Sequence, residues 1–441
     1  MTRKTLANLL GALVATALIL AACAAPAAAP TPATIKETVV VQQTVPVPVT
    51  ATSAPVEAPV ATITFWHTYN PVETKVLEEK VIPAFEQAHP NIKVQDQTVP
   101  YDDFRKKLLT AIAGGTAPDV ARLDIAWLPE FADLGALAAL DTLMNDFDTY
   151  KSAVFPGPLS TNAWKDHYYG LPLDTNTRVV VWNKDVYTKA GLTEAPKTID
   201  DFLADCAKIK AAGSTCFADG GTYGWAVMPW IWSMGGDITD PKMTTSTGYI
   251  NGPDTVAAYQ LLKDMLDNGY LDKAILGGGL DTYGAFAKDQ LANVLDGPWM
   301  PPLFASQYPG KAIDFALMPA GKGGPISVVG GEDIALFQQS QNKEAAAEFV
   351  RYMLSPETQL ALAEAGQVPV RADVADQAVK AHPYFQIFFD QLKTARARLP
   401  HPNWPKIESI LTDAGQVILR GEKTPQAALD EAAAKIDPLL K

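Results

Sequence analysis

The sequence predicts an α/β fold of two lobes with a ligand crevice between them, and three observations carry that prediction. At 441 residues the chain is too long for one compact core. From residue 61 onward strand-like and helix-like stretches alternate, the pattern of parallel sheets with crossover connections. Near mid-chain, residues 170–187 (GLPLDTNTRVVVWNKDVY) set polar side chains directly ahead of a buried strand. Pro172 pushes Leu171 out of the helical region. Asp174, Thr175, Asn176, Thr177 and Arg178 crowd together, and Val179-Val180-Val181-Trp182 then reads as core strand. Hydrogen-bonding groups therefore gather where the chain passes from one lobe to the other.

Composition narrows the partners. The formal charge of −13 and the lack of any Lys/Arg cluster exclude a nucleic-acid surface, which needs a basic face. Hydrophobic content of 48% with 19% charged residues describes a globular body. Nine tryptophans exceed what a core needs, and surplus indoles line ligand clefts.

Taken in order, the chain opens with Arg3 and Lys4, an apolar run over 6–22 and Ala21-Ala22-Cys23. Residues 1–22 read as an export signal. The run is short for a membrane span, and Cys23 directly after Ala-Ala resembles a lipobox, which makes Cys23 the expected lipidation site. An ordinary signal peptide or an anchor helix is the alternative. Residues 23–60, rich in Ala, Pro, Thr and Val, read as a flexible tether, with one stray strand conceivable over 36–44.

The folded body starts with a strand over 61–66 and a loop over 67–71. A helix follows over 72–89, a strand over 91–99, a helix over 101–113, a glycine-rich break, and a third strand over 119–123. Ligands of such sheets bind at loops after the strands' carboxyl ends, here 67–71 and 124–127. Asp119 is expected to cap the glycine-rich turn. Beyond the central stretch come a helix over 198–212 and a glycine- and tryptophan-rich segment over 220–236. Helices over 254–268 and 283–288 lead to a strand over 290–295, ended by Asp296-Gly297-Pro298-Trp299. Strands over 314–318, 326–331 and 334–337 follow, then helices over 343–354, capped by Asn342, and over 356–365. The end, 405–420 and 425–436, is helical. Cys206 and Cys216 are ten apart; export permits a disulfide, worth about 2.7 kcal/mol by loop closure. Two buried thiols are the alternative, and nothing near them suggests a metal site.

The motifs ITFWHTYN, FEQAHPNIKV, LLTAIAGGTAPDV, YYGLPLDTNTRVVVWNKDVY, FAKDQLANVLDGPWM and FVRYMLSPETQLALAEAG, in this order and spacing, resemble the extracellular solute-binding proteins of ABC sugar importers, the group of maltose-binding protein. The resemblance runs from about residue 61 to the end. It implies a type II periplasmic-binding-protein-like fold, with hinge strands joining lobe one (61–174 plus 319–355) to lobe two (175–318 plus 356–441). The crossovers would fall near Asp174, Pro319 and Ser355. It also implies a non-enzymatic, cofactor-free monomer that captures a mono- or oligosaccharide and delivers it to a membrane permease.

A sugar offers C–H faces and a rim of hydroxyls, so its site needs flat aromatics plus carboxylates and amides. The aromatic candidates are Trp230, Trp232 and Trp299, with Trp404 less securely aligned; Trp182 reads as core. The rim candidates are His67, Tyr69 and Asn70 after the first strand, Asp124 after the third, Asp174 and Asn176 at the crossover, and Glu332 after Gly330-Gly331; Trp66, at the end of the first strand, is a further ligand-binding candidate. Arg371 is a candidate for pairing with an acid across the lobes. The rival readings are an exported glycoside hydrolase using two carboxylates and a binding protein for a polyol, glycerol phosphate or metal; the metal alone is suggested by Tyr168-Tyr169, whose place before the Gly-Leu-Pro turn favours a core role. A purely structural lipoprotein is the third. No G-x-S-x-G, H-E-x-x-H or Walker pattern favours the enzyme.

Overall fold

The computed structural model describes residues 60–441. The export signal, Cys23, the tether and the strand over 36–44 lie outside the described residues.

Two sheets organise the body. Its strands, in chain order, are β1 (Ala61–His67), β2 (Ile92–Thr98), β3 (Val120–Asp124), the short hairpin β4 (Ala163–Trp164) and β5 (His167–Tyr168), β6 (Leu171–Thr177) and β7 (Val179–Trp182). Then come β8 (Thr215–Ala218), β9 (Leu291–Asp296), β10 (Asp314–Ala316), β11 (Val328–Leu336) and β12 (Arg396–Ala397). The first sheet runs β12-β11-β3-β1-β2, with β6 also paired to β11; the second runs β10-β7-β9-β8. β1 is parallel to both β2 and β3, as alternating strands and helices require. β11 returns antiparallel to β3 and β6.

Each sheet has its own core. Under the first, Ile63, Phe65, Phe85, Ile334 and Phe349 pack together fully buried. Around the second, Phe202, Phe217, Trp230 and Tyr259 fill one side and Val181, Phe286, Phe304 and Phe388 the other. Burial on both faces explains why β7 is continuous Val-Val-Val-Trp rather than alternating.

The chain changes sheets at Arg178. β6 stays on the first sheet through Thr177, which pairs with Val329, and β7 begins on the second at Val179. The sheet change therefore falls four residues beyond the expected position at Asp174. Arg178 is buried, and its guanidinium donates to the carbonyls of Leu295 (3.1 Å) and Trp225 (3.0 Å) and to Asp219 (2.8 Å). One cation thus ties the crossing to three parts of the second lobe.

Several local expectations need correction. The two strands expected over 326–331 and 334–337 are one strand, β11, with a register shift between Glu332 and Asp333. Gly331 there has φ +128°, open to glycine and strained for other residues, so an irregular strand looked like two. The glycine- and tryptophan-rich segment contains a helix, Gly224–Ser233, buried almost all round, which hid its period. Asn342 holds the N-cap position of its helix, but its side chain makes no capping bond; its amide donates to the Thr62 carbonyl. Asp119 accepts from Thr64 and Ser340, linking β1 to the segment after β11 instead of capping the glycine-rich turn. Arg371 pairs locally with Asp373. Cys206 and Cys216 are bonded, with Cα atoms 5.0 Å apart, joining the helix Ile199–Ala211 to β8.

Candidate functional site

A cleft of about 890 Å³ is lined from both sheets' surroundings. Because β1 and β3 are parallel, their carboxyl ends open on the same edge and bring Thr68, Asn70, Arg122 and Asp124 together. β6 adds Asn176, and the irregular part of β11 adds Gly330, Gly331 and Glu332. The second lobe contributes Gly220, Tyr223 and Trp225 after β8 and Trp299 after β9. Arg398 after β12 and Glu408, Ser409 and Thr412 on the helix Trp404–Leu419 also line it.

Strand register creates an acidic row. Glu332 stands opposite Asp124 on β3 and opposite Asp174 on β6. Like charges side by side on a sheet repel, and two arginines answer them. Arg122, with side-chain exposure of 5%, donates to Glu332 (2.7 Å), Asp174 (3.1 Å), Thr68 (2.9 Å) and Gln367 (3.2 Å). Arg398 donates to Asp124 (2.7 Å), whose other oxygen accepts from the Tyr101 hydroxyl (2.7 Å). Glu73 belongs to a capping box: Asn70 caps the helix Pro71–Val76 while the Glu73 carboxylate accepts from the Asn70 amide (2.8 Å) and from Gln367.

Burial governs the titrations. It drives Glu332 well above the usual carboxylate range against the pull of Arg122, with Asp174 adding to the rise. Asp174 is also raised, by burial first. Glu73 is pushed up to about 7 by burial, opposed by Arg122 and the Asn70 amide. For Arg122 burial works against the charge, but Asp174 and Glu332 more than offset it.

Aromatic surfaces border the cleft from both lobes. Tyr101 and Trp127 lie 5.0 Å apart on the first. Trp225 and Trp299 stack at 6.3 Å and 29° on the second. Trp225 sits over Gly330: a Cβ there would come within 2.6 Å of the indole. Glycine at 330 thus lets the second lobe's indole lie on the first sheet's backbone.

Of the expected site residues, Asn70, Asp124, Asn176, Trp299 and Glu332 line the cleft. Asp174 lies directly beneath, holding Arg122. Tyr69 is also beneath, its ring 4.5 Å from the Arg122 guanidinium. The remaining five lie elsewhere. Trp66 lies under Lys107. His67 is fully buried against Asp96, and burial lowers its pKa. Trp230 packs in the core between Phe202 and Phe217. Trp232 is buried with its indole donating to Asp237. Trp404 is buried against Gly224. For Trp230 and Trp232 the reason is helical geometry: Trp225 stands at the start of the same helix, Trp230 turns to another face, and Trp232 is about two turns further along.

Sequence reasoning missed Tyr101, Trp127, Tyr223, Trp225, Arg122, Arg398, Gln367 and Glu408. Trp127 lay within an expected binding loop and Trp225 within the tryptophan-rich segment, so both carried a signal. Arg122 and Arg398 carried none. A second cavity of about 600 Å³, around Trp182, Pro196, Phe315 and Met318, lies on the second lobe and shares no residue with the cleft. Among the described residues no group of three or more His, Cys, Asp or Glu side chains is arranged to hold a metal ion.

Comparison with known proteins places this cleft in context. A model of the family described as bacterial extracellular solute-binding protein matches residues 70–360. A protein of Brucella abortus (strain 2308), named only for binding, is 29% identical over 375 residues, covering 82% of this chain and 89% of its own. The multiple sugar-binding protein of Streptococcus mutans is 27% identical over 301 residues, 62% of this chain and 67% of its own. The sn-glycerol-3-phosphate-binding periplasmic protein of Yersinia pseudotuberculosis is 23% identical over 419 residues, 87% of this chain and 93% of its own. Among solved structures, the GacH receptor of Streptomyces glaucescens, determined unliganded and with acarbose, superposes with a TM-score of 0.79 at 26% identity, covering 87% of this chain and 99% of that one.

Proposed function

We propose a function from one premise: the chain belongs to the bacterial extracellular solute-binding protein family. It is the substrate-binding subunit of an ABC importer, captures a mono- or oligosaccharide between its lobes and hands it to a membrane permease. One observation carries this reading: aromatic pairs from both lobes, Tyr101–Trp127 and Trp225–Trp299, border a single cleft whose floor is a network of carboxylates, amides and guanidinium groups. Aromatic faces suit sugar C–H surfaces, and the network suits hydroxyls. A ligand touching both lobes favours the closed arrangement, because its affinity then differs between open and closed states.

In the same reading the lobes comprise 61–177 plus 319–355 and 178–318 plus 356–441, hinging near Arg178. Cys23 carries lipid, and residues 23–60 hold a monomeric body off the outer face of the membrane. No bond of the ligand is broken.

A thermal-shift screen of the full chain against a carbohydrate library tests the proposal. A ligand at one hundred times its Kd adds about 2.7 kcal/mol to the folded state. At least one neutral sugar is expected to raise the melting temperature and to be recovered uncleaved. A library with no stabilising sugar, or release of new reducing ends, contradicts it.

A further inference from the structure

We infer that capture is proton-linked: Glu73 takes up a proton as the ligand closes the cleft over it, so affinity falls as pH rises above neutrality. The inference rests on the sugar-capture reading above and adds a regulation of the same site.

The carboxyl count is the first argument. Nη2 of Arg122 reaches Asp174, Glu332 and Gln367, and Gln367 in turn donates to Glu73. One guanidinium thus serves three largely buried carboxyl groups and balances only one of them. At low dielectric the remaining groups hold protons rather than charge. Asp174 and Glu332 stand opposite each other in register, and Asp174 Oδ1 is buried without a donor. A proton held between these two carboxyl groups supplies that donor.

The second argument is the position of Glu73. It lines the cleft while only 4% exposed, and its oxygens accept from the Asn70 backbone N–H and from Gln367. Arg122 faces it from β3, Asp174 from β6, Glu332 from β11, Tyr69 from the preceding loop and Tyr283 from the second lobe. Among these Arg122 is the one cation, and it is already bonded to Asp174 and Glu332. The helix Met300–Gln307 packed against Glu73 brings no titratable side chain. Lys75, Glu78, Glu79, Lys80 and, on the helix Pro356–Ala363, Glu357 are exposed. A ligand that displaces the remaining water disfavours the carboxylate further, and the neutral acid offers it an O–H besides acceptors. The complex therefore holds the proton more tightly than the free protein, whose Glu73 is pushed by burial to about 7. By linkage, proton and ligand favour each other. Affinity is complete below pH 7 and falls as pH rises from there to the higher pKa of the complex.

Titration calorimetry on the full chain tests this. The probes are maltose, cellobiose and every further library sugar that raises the melting temperature at pH 6. Runs at pH 6, 7 and 8, each in two buffers of different ionisation heat, count the protons exchanged. Affinity is expected to fall at least threefold from pH 6 to pH 8, with net proton uptake on binding at pH 7. Glu73→Gln mimics the neutral acid and keeps the capping box, where glutamine also serves. It is expected to bind at pH 8 within twofold of the wild-type affinity at pH 6 and to take up no proton. The wild-type proton count stands even where the variant does not fold. A sugar bound with pH-independent affinity, with proton release, or with the same pH slope in Glu73→Gln overturns the inference and leaves sugar capture standing. A library in which no sugar binds at any pH overturns both.

Discussion

Trp225 and Trp230 belong to one helix, yet one borders the cleft and the other fills the core. Their substitutions should therefore separate. Trp225→Ala or Trp299→Ala is expected to weaken sugar binding by roughly 1–3 kcal/mol, the worth of one large apolar contact. Trp230→Ala is expected to cost about 3–5 kcal/mol of fold stability, with affinity in the surviving folded fraction little changed. Calorimetric titration beside thermal denaturation checks both, and a Trp230→Ala protein with unchanged melting but lost affinity would reverse the assignment. Glu73 gives a pH signature. Its folded pKa of about 7 lies above the ordinary carboxylate value, so the neutral form favours folding. That stability is complete below the unfolded pKa and is lost as pH rises through 7. The melting temperature should fall between pH 5 and pH 8, and Glu73→Gln should flatten the slope; an equally steep slope in the variant would assign it to other groups. At this scale the sequence pointed to cleft residues at expected strand ends and at the crossover, namely Asp124, Asn176, Glu332 and Trp299, although Asn176 and Glu332 lie within β6 and β11. It did not reveal Arg122, because a charge inside a strand is readable only once its partners are known. Those partners lie 52 and 210 residues away.

At the scale of the element, β11 matters most, since it carries the cleft glycines and pairs with β3, β6 and β12. Gly330→Ala would set a methyl group against the Trp225 indole and the Asn176 amide. Affinity should drop at least tenfold, a loss of about 1.4 kcal/mol, while far-ultraviolet circular dichroism stays unchanged. Unaltered affinity would show that the indole does not need to lie on this strand. The Cys206–Cys216 bond sits on the helix Ile199–Ala211 and β8, which supply no cleft residue. Replacing both cysteines with alanine should lower stability by about 2.7 kcal/mol and leave sugar affinity intact, read by denaturant titration and calorimetry. The alternation from β1 to β3 was legible because local hydrophobic periods were clean. The helix Gly224–Ser233 was not, because it is apolar on all sides and holds Pro229 inside. The unity of β11 was hidden by its glycine pair and register shift.

For the whole molecule, two lobes could be read from length and from the polar cluster ahead of a core strand. The sheet order could not, because β11 joins β3 and β6 from far along the chain and only tertiary packing chooses that pairing. The same long-range return builds the acidic row, so the cleft floor exists only in the folded molecule. Hydrogen–deuterium exchange of the full chain, with and without a bound sugar, tests the central claim most directly. The account predicts protection on both sides of the cleft: around 101–105, 122–127 and 330–332 from the first lobe, and around 223–225, 299 and 408–412 from the second. Protection confined to one lobe, or centred on the cavity around Trp182 and Phe315, would contradict it.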